Sequence, residues 1–212
     1  MTQPGAEPSF DLSGGWLALD FANTLLSPST AATERLTGYR DLVAFARQAG
    51  AIDDGEAARL SQEAESRPEE AARALEAARR LRGAIFRLLS GAVAGRSPDP
   101  GDLAILNEVL LGDRTRLRLA TAGGRFVLEA VEPDGGLDRL LAPIARSAAE
   151  LLASETGLSS VRQCQAPPCE WLFRDTTKNG SRRYCDVRTC GTRMRVRRHR
   201  ERHRQRQARA ED

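Results

Sequence analysis

Four cysteines carry the clearest chemistry in this chain of 212 residues. Cys164 and Cys169 form one C-x4-C pair, Cys185 and Cys190 form a second, and 15 residues separate the pairs. Each short turn brings two thiolates to one point, and a spacer of this length can fold back to bring both pairs to one ion. Four thiolates complete the tetrahedron around Zn²⁺ and leave no open position. The pattern therefore predicts a closed, structural zinc site.

Three other uses of these cysteines have to be weighed. Two disulfides would need an oxidising compartment, and an iron–sulfur cluster also takes four cysteines. A mixed site would combine Cys185 and Cys190 with His199 and His203, which lie one helical turn apart. That choice leaves the first cysteine pair without a role, and its spacing of eight residues between cysteine and histidine is shorter than in common zinc fingers. We favour the four-cysteine site.

The spacer between the pairs predicts the elements that position the thiolates. Residues 171–173 favour a strand, residues 178–180 (Lys-Asn-Gly) a tight turn, residues 182–185 a return strand, and Cys190 the start of a helix. So short and polar a segment cannot build a self-sufficient core. Because zinc can supply on the order of 10 kcal/mol to such a module, we expect the module to unfold without metal.

A strongly basic segment follows the last cysteine. Residues 193–209 hold nine arginines and one glutamate, with no apolar stripe to bury, so a helix here gains little from packing and its like charges repel. Phosphates would neutralise the arginines. We expect nucleic acid as the partner, and duplex DNA rather than single-stranded RNA, whose readers stack bases on aromatic side chains. The candidate contacts are Arg182, Arg183, Arg193, Arg195, Arg197, Arg198, Arg200 and Arg202.

The net charge divides the chain in the same place. Residues 161–212 contain 15 basic and 6 acidic side chains, a charge of +9, whereas residues 1–160 contain 17 and 23, a charge of −6. One part therefore suits a polyanion and the other does not. No apolar stretch is long enough to span a membrane, and the first residues lack the features of a signal peptide. The expected location is the cytoplasm.

The rest of the sequence predicts a mainly helical fold with one β-hairpin. Helical spacing recurs from residue 39, Gly50 favours a helix end, Asp53 an N-cap with Glu56 completing a capping box, and Pro68 opens a long helix. Alternation around residues 116–128 indicates the hairpin, and helix returns near residue 138, with a kink expected at Pro143. We divide the chain into a flexible lead-in (1–9), a helical domain (10–155) and a zinc module with a basic helix (160–212).

Three polar residues interrupt an apolar stretch near the start of the helical domain. Asp20, Asn23 and Thr24 are candidates for contacting a small-molecule ligand, although such residues more commonly cap a helix or satisfy backbone groups. No nucleophile–base pair, phosphate loop or carboxylate pair stands out, and both histidines lie in the basic segment. The sequence gives no reason to expect an enzyme.

Two known families resemble this chain. The pattern C-x4-C, F-x-D, R-R-Y-C, C-G-x-R resembles the CGNR zinc finger of bacterial regulators, with Thr192 in place of the asparagine. We expect Thr192 still to cap the helix. Residues 16–24, WLALDFANT, resemble the opening of the ABATE domain, found in stress-induced transcription regulators. The resemblance implies an N-terminal sensor and a C-terminal zinc finger.

These observations together predict a DNA-binding transcription regulator. One small module contacts few base pairs, so a homodimer reading two half-sites, assembled through the helical domain, would increase specificity. The sensor would respond to an unidentified effector. Two alternatives use the same arginines: an RNA- or ribosome-associated protein, and an adaptor that binds an acidic protein partner.

Overall fold

The computed structural model describes residues 8–26, 33–112, 116–123, 125–131 and 136–211. Residues 1–7 of the expected lead-in and Gly124 of the hairpin turn lie outside this set. The helices are α1 Leu17–Ala22, α2 Tyr39–Gln48, α3 Asp54–Ser66, α4 Pro68–Val93, α5 Pro100–Gly112, α6 Leu141–Ala153, α7 Glu155–Ser159 and α8 Thr192–Glu211. The strands are β1 Leu25–Leu26, β2 Thr33–Glu34, β3 Arg116–Ala122, β4 Arg125–Val131, β5 Val161–Gln163 and β6 Leu172–Arg174.

Helix α4 is the central element of the helical body, which we define as residues 8–159. Its apolar stripe is buried as predicted, and α1, α2, α3, α5 and α6 all pack in contact with it or with each other. Burial of such a stripe supplies most of the stability of a globular helix. The stripe consists of Leu75, Ala78, Leu81, Ile85, Leu88 and Leu89.

Local signals set the helix ends largely as expected. Gly50 follows α2 with a φ of +70°, a conformation that glycine adopts at no steric cost. The Asp53 carboxylate accepts a hydrogen bond from the Glu56 amide at 2.7 Å, so the predicted N-cap of α3 is confirmed. The Glu56 carboxylate instead contacts Arg59 and Arg139, at 2.6 and 2.7 Å, and so links the turn before α6 to α3.

The predicted hairpin is also confirmed. Strands β3 and β4 pair antiparallel over seven positions, from Arg116 opposite Val131 to Ala122 opposite Arg125. Helix α6 begins at Leu141, which places Pro143 in its first turn, where a missing amide hydrogen costs no helical hydrogen bond. None of the described helices is both long and apolar enough to cross a membrane.

The zinc module, residues 160–211, contains a strand pair as expected, but the strand that pairs with β6 is not the expected one. Strand β6 pairs antiparallel with β5, which precedes the first cysteine, so the prediction that residues 182–185 form the return strand was wrong. The expected turn is present, with Gly180 at a φ of +58°. The segment after this turn does not pair with β6. Its Arg182 amide donates to the Asp175 carboxylate at 2.8 Å.

Candidate metal centre and nucleic-acid interface

The four cysteine sulfurs converge on one point. The Sγ atom of Cys185 lies 3.7 Å from that of Cys169 and 3.6 Å from that of Cys190, and all four sulfurs lie within 4.8 Å of one another. Four sulfurs at about 2.3 Å from a zinc ion are separated by roughly 3.8 Å in an ideal tetrahedron. The observed separations match one ion, and they are far longer than the roughly 2.0 Å of a disulfide bond. The predicted ligands are therefore positioned to bind zinc.

The surroundings of the sulfurs suit thiolates. The amide of Cys185 donates to the Cys164 sulfur at 3.4 Å, and the Arg193 guanidinium donates to the Cys190 sulfur at the same distance. Hydrogen-bonded contacts with Cys164 and Cys169, together with burial, raise the pKa of the Cys185 thiol. The Cys185 thiol therefore resists ionising beside the neighbouring sulfurs until a cation balances the added charge. His199 and His203 lie exposed on α8, outside this group of ligands.

Backbone contacts hold the first cysteine pair in place. The amide of Cys164 donates to the carbonyl of Trp171 at 2.8 Å, and the amide of Cys169 closes a turn on Ala166 at 2.7 Å. The Gln165 amide donates to the Arg183 carbonyl at 3.0 Å and so joins the first pair to the segment that carries the second. The two C-x4-C turns are thus fixed to each other by main-chain bonds as well as by their shared ion.

Arg182 braces the module from inside. Its guanidinium stacks on the Phe173 ring, 4.5 Å from the ring centre, and donates to the carbonyls of Tyr184 at 3.0 Å and of Cys185. These donors are consequently engaged beside the metal centre. The other arginine predicted from this segment, Arg183, is exposed and donates to Gln165 at 2.7 Å.

The second cysteine pair leads directly into the basic helix. Cys190 lies in a π-helical turn, Val187–Gly191, that continues into α8. The N-cap of this turn is Asp186, whose carboxylate accepts the Thr189 amide at 2.7 Å. The expectation that Thr192 caps the helix was wrong, because its hydroxyl donates to the Val187 carbonyl at 3.2 Å. A zinc ligand therefore lies in the π-helical turn that leads into α8, and the bound metal would fix the direction in which α8 begins.

Every arginine whose side chain is described on α8 is exposed. Arg197 also pairs with Glu201 at 2.9 Å, and Arg193 reaches back to the metal centre. The side chains of Arg206 and Arg209 lie outside the described set. The exposed arginines are Arg193, Arg195, Arg197, Arg198, Arg200, Arg202 and Arg204.

The polar residues near the start of the body lie at the junction with the zinc module. The Asn23 amide nitrogen donates to the Leu172 carbonyl at 2.8 Å, and the Asn23 oxygen accepts the Leu172 amide at 3.0 Å. Both residues are buried, and the Val161 and Leu172 side chains belong to the core of the body. Sequence reasoning missed this partnership, since 149 positions separate the two residues.

Asp20 and Thr24 are likewise engaged within the chain. The Asp20 carboxylate accepts the Gly14 amide at 2.8 Å, and burial raises the pKa of this carboxyl to about 7. The Gly14 carbonyl accepts the Arg174 amide of β6 at 2.8 Å, so Asp20 also supports the junction. The Thr24 hydroxyl donates to the Phe21 carbonyl at 2.7 Å. A ligand at these residues would have to displace the existing bonds.

Comparison with known families agrees with this architecture. A family model named ABATE and described as "Putative stress-induced transcription regulator" matches residues 15–155, and one described as "CGNR zinc finger" matches residues 160–203. No curated protein matches the chain. The first match contains Asp20, Asn23 and Thr24, and the second contains all four cysteines.

Proposed function

The chain belongs to the ABATE family and carries a CGNR zinc finger, and on this basis we propose that it is a cytoplasmic transcription regulator that binds duplex DNA through α8. The observation that carries the proposal is a helix with seven exposed arginines that continues directly from the π-helical turn containing the zinc ligand Cys190. The metal fixes the helix against the module, and the arginines provide the charge that phosphates require.

The contrast between body and helix supports this assignment. The arginines of the body are largely committed to acidic partners, such as Arg82 with Glu34 at 2.5 Å and Arg87 with Asp102 at 2.6 Å. On α8 the described ion pair is the one between Arg197 and Glu201. Helix α8 therefore has a large excess of positive charge, and a polyanion is the partner that its charge complements best.

The salt dependence of binding tests the proposal. We expect the zinc-loaded protein to bind duplex DNA with an affinity that falls steeply as salt rises. Replacing Arg197, Arg198 and Arg200 by alanine should weaken binding and reduce the slope of log K against log salt by about 2.7, which is 0.9 for each lost phosphate contact. Fluorescence anisotropy on a labelled duplex measures both quantities.

A matched control keeps the change in charge constant. Arg73, Arg80 and Arg96 are exposed on the helical body, so their triple replacement by alanine removes the same three charges away from α8. We expect that variant to retain the wild-type slope. An equal loss in both triple variants would contradict a DNA surface on α8. Tighter binding to single strands or to duplex RNA would favour the RNA-associated alternative.

For the helical body we propose dimerisation or the sensing of an effector. A surface groove between α2, α3 and α4, lined by residues that include Tyr39, Arg40, Ser61 and Leu75, offers an effector a contact surface with apolar walls. A dimer would place two copies of α8 on two half-sites. Sedimentation of the protein on duplexes with one and with two sites tests the dimer. One protein per duplex in both cases would contradict it.

A further inference from the structure

The arginines of α8 form two ridges on opposite sides of the helix. Successive side chains turn by about 100°, so residues three and four apart share a side. Two shallow surface grooves follow these two sides, and each is lined by the arginines of one ridge. The first ridge is Arg193, Arg197, Arg200 and Arg204, and the second is Arg195, Arg198 and Arg202.

Two narrow edges separate the ridges, and they differ in chemistry. The inner edge carries Met194, which packs against the cysteine cluster, followed by the acidic Glu201 and by Gln205. The outer edge carries neither arginine nor carboxylate, its side chains are all exposed, and it lies on the side of α8 opposite the edge that begins at the metal centre. The outer edge consists of Thr192, Val196, His199 and His203.

We propose that α8 lies in the DNA major groove with this outer edge toward the bases, an inference that rests on the proposed binding of duplex DNA. An α-helix with its side chains is about 10–12 Å across, and the major groove is about 12 Å wide. Arginine ridges on both sides of the helix then reach the phosphates of both strands. A helix lying on the outside of the duplex would use only one ridge.

The chemistry of the two edges decides which one faces the bases. The inner edge begins against the zinc module and carries a carboxylate, which the phosphates would repel. On the outer edge Val196 offers an apolar surface of the kind that contacts thymine methyl groups. The ring nitrogens of His199 and His203 offer donors and acceptors to base edges. Duplex RNA does not fit, because its major groove is too narrow for a helix.

Selection of preferred sites from a random duplex library by the zinc-loaded protein tests the inference. The measured quantity is the ratio of Kd for a scrambled duplex to Kd for the selected duplex. Replacing Val196, His199 and His203 by alanine should reduce this ratio by about tenfold for each lost base contact. The salt slope and the affinity for scrambled DNA should remain those of the wild type, since the arginines are unchanged.

Gln205→Ala, on the inner edge, is the matched control and should keep the full ratio. The inference is overturned if the outer-edge variant keeps its preference, if Gln205→Ala loses as much, or if the wild type binds duplexes without any preference. These outcomes leave duplex binding itself intact. Absence of salt-dependent duplex binding by the wild type would instead overturn the proposed function and this inference with it. Zinc content of each variant confirms that the module is folded.

Discussion

The helical body and the zinc module bury very different material. The body has a continuous apolar core with fully buried residues such as Phe21, Phe45 and Leu89, whereas the module's own buried cluster combines Ala166 and Phe173 with three cysteines. A domain as large as the body can be held together by burial of apolar surface. A segment as short as the zinc module cannot bury enough apolar surface for this. The body should therefore depend on packing and the module on its metal, and the variants below separate these two dependences.

Loss of one zinc ligand should have the largest effect. Cys185→Ser removes a buried thiolate from the closed site, and the module should lose on the order of 10 kcal/mol of metal-linked stability. We expect loss of zinc and fast hydrogen exchange across residues 164–191, with the body still folded. Elemental analysis and hydrogen exchange measure this. Ser181→Ala, at an exposed position nearby, should keep its zinc. Full zinc content in Cys185→Ser would contradict the ligand assignment.

A core substitution in the body should show the opposite pattern. Phe45 is fully buried, with its ring 5.5 Å from that of Phe10 and 5.4 Å from that of Phe21. Phe45→Ala should reduce the free energy of unfolding by about 3–5 kcal/mol while zinc content stays at the wild-type level. Urea titration measures the change. Phe126→Ala removes an equal ring from an exposed hairpin position and should change stability little.

Local features were predictable from sequence, and distant partnerships were not. The cysteine spacing, the Asp53 cap and the apolar stripe of α4 each depend on residues close in sequence, so their physical basis is visible in a short window. The strand that pairs with β6 could have been residues 161–163 or residues 182–185. A short stretch of sequence does not show which of the two can reach it. The same holds for Asn23, whose amide meets Leu172 across the two regions.

Arg182 is a second case in which the sequence did not predict what a side chain contacts. The sequence places it in a basic pair beside a cysteine, which favours a phosphate contact. Its guanidinium instead faces Phe173 and the carbonyls around Cys185. Arginine suits both roles because its planar fork stacks on aromatic rings and donates to several oxygens. Composition alone therefore cannot distinguish a bracing arginine from one that binds DNA, whereas the exposed arginines of α8 fit the proposed role.

Where body and module meet, a buried carboxyl makes stability depend on pH. Burial raises the pKa of Asp20 from 3.8 to about 7, so the folded state binds a proton that the unfolded state has released between these values. Stability should therefore fall as pH rises through this interval, by about 1.5 kcal/mol between pH 5.5 and pH 7. Asp20→Asn should lack this contribution and still accept the Gly14 amide. Urea titrations of the wild type and Asp20→Asn across this pH range test the prediction. It would be contradicted if the stabilities of the two proteins changed with pH in the same way.

Asn23 tests how the two regions are joined. Asn23→Ala leaves the amide and the carbonyl of Leu172 buried without these partners, which should cost about 1–3 kcal/mol. Asn23→Asp keeps the acceptor but sets a carboxylate against the Leu172 carbonyl, so it should be at least as harmful. Asn107→Ala, at an exposed position on α5, is the control. Zinc content should not change in any of the three, because the thiolates are untouched.

Hydrogen exchange at β6 decides what Asn23 contributes to this joint. If the Asn23 side chain holds β6 against the body, the Leu172 amide should exchange its hydrogen faster in Asn23→Ala. The amide of Cys185, beside the metal, should keep its protection from exchange. Unchanged protection at Leu172 would mean that burial of Val161 and Leu172 in the body core holds the module by itself. The contact between body and module would then depend on apolar packing, as the body itself does. The two Asn23 hydrogen bonds would only fix the position of β6 relative to α1.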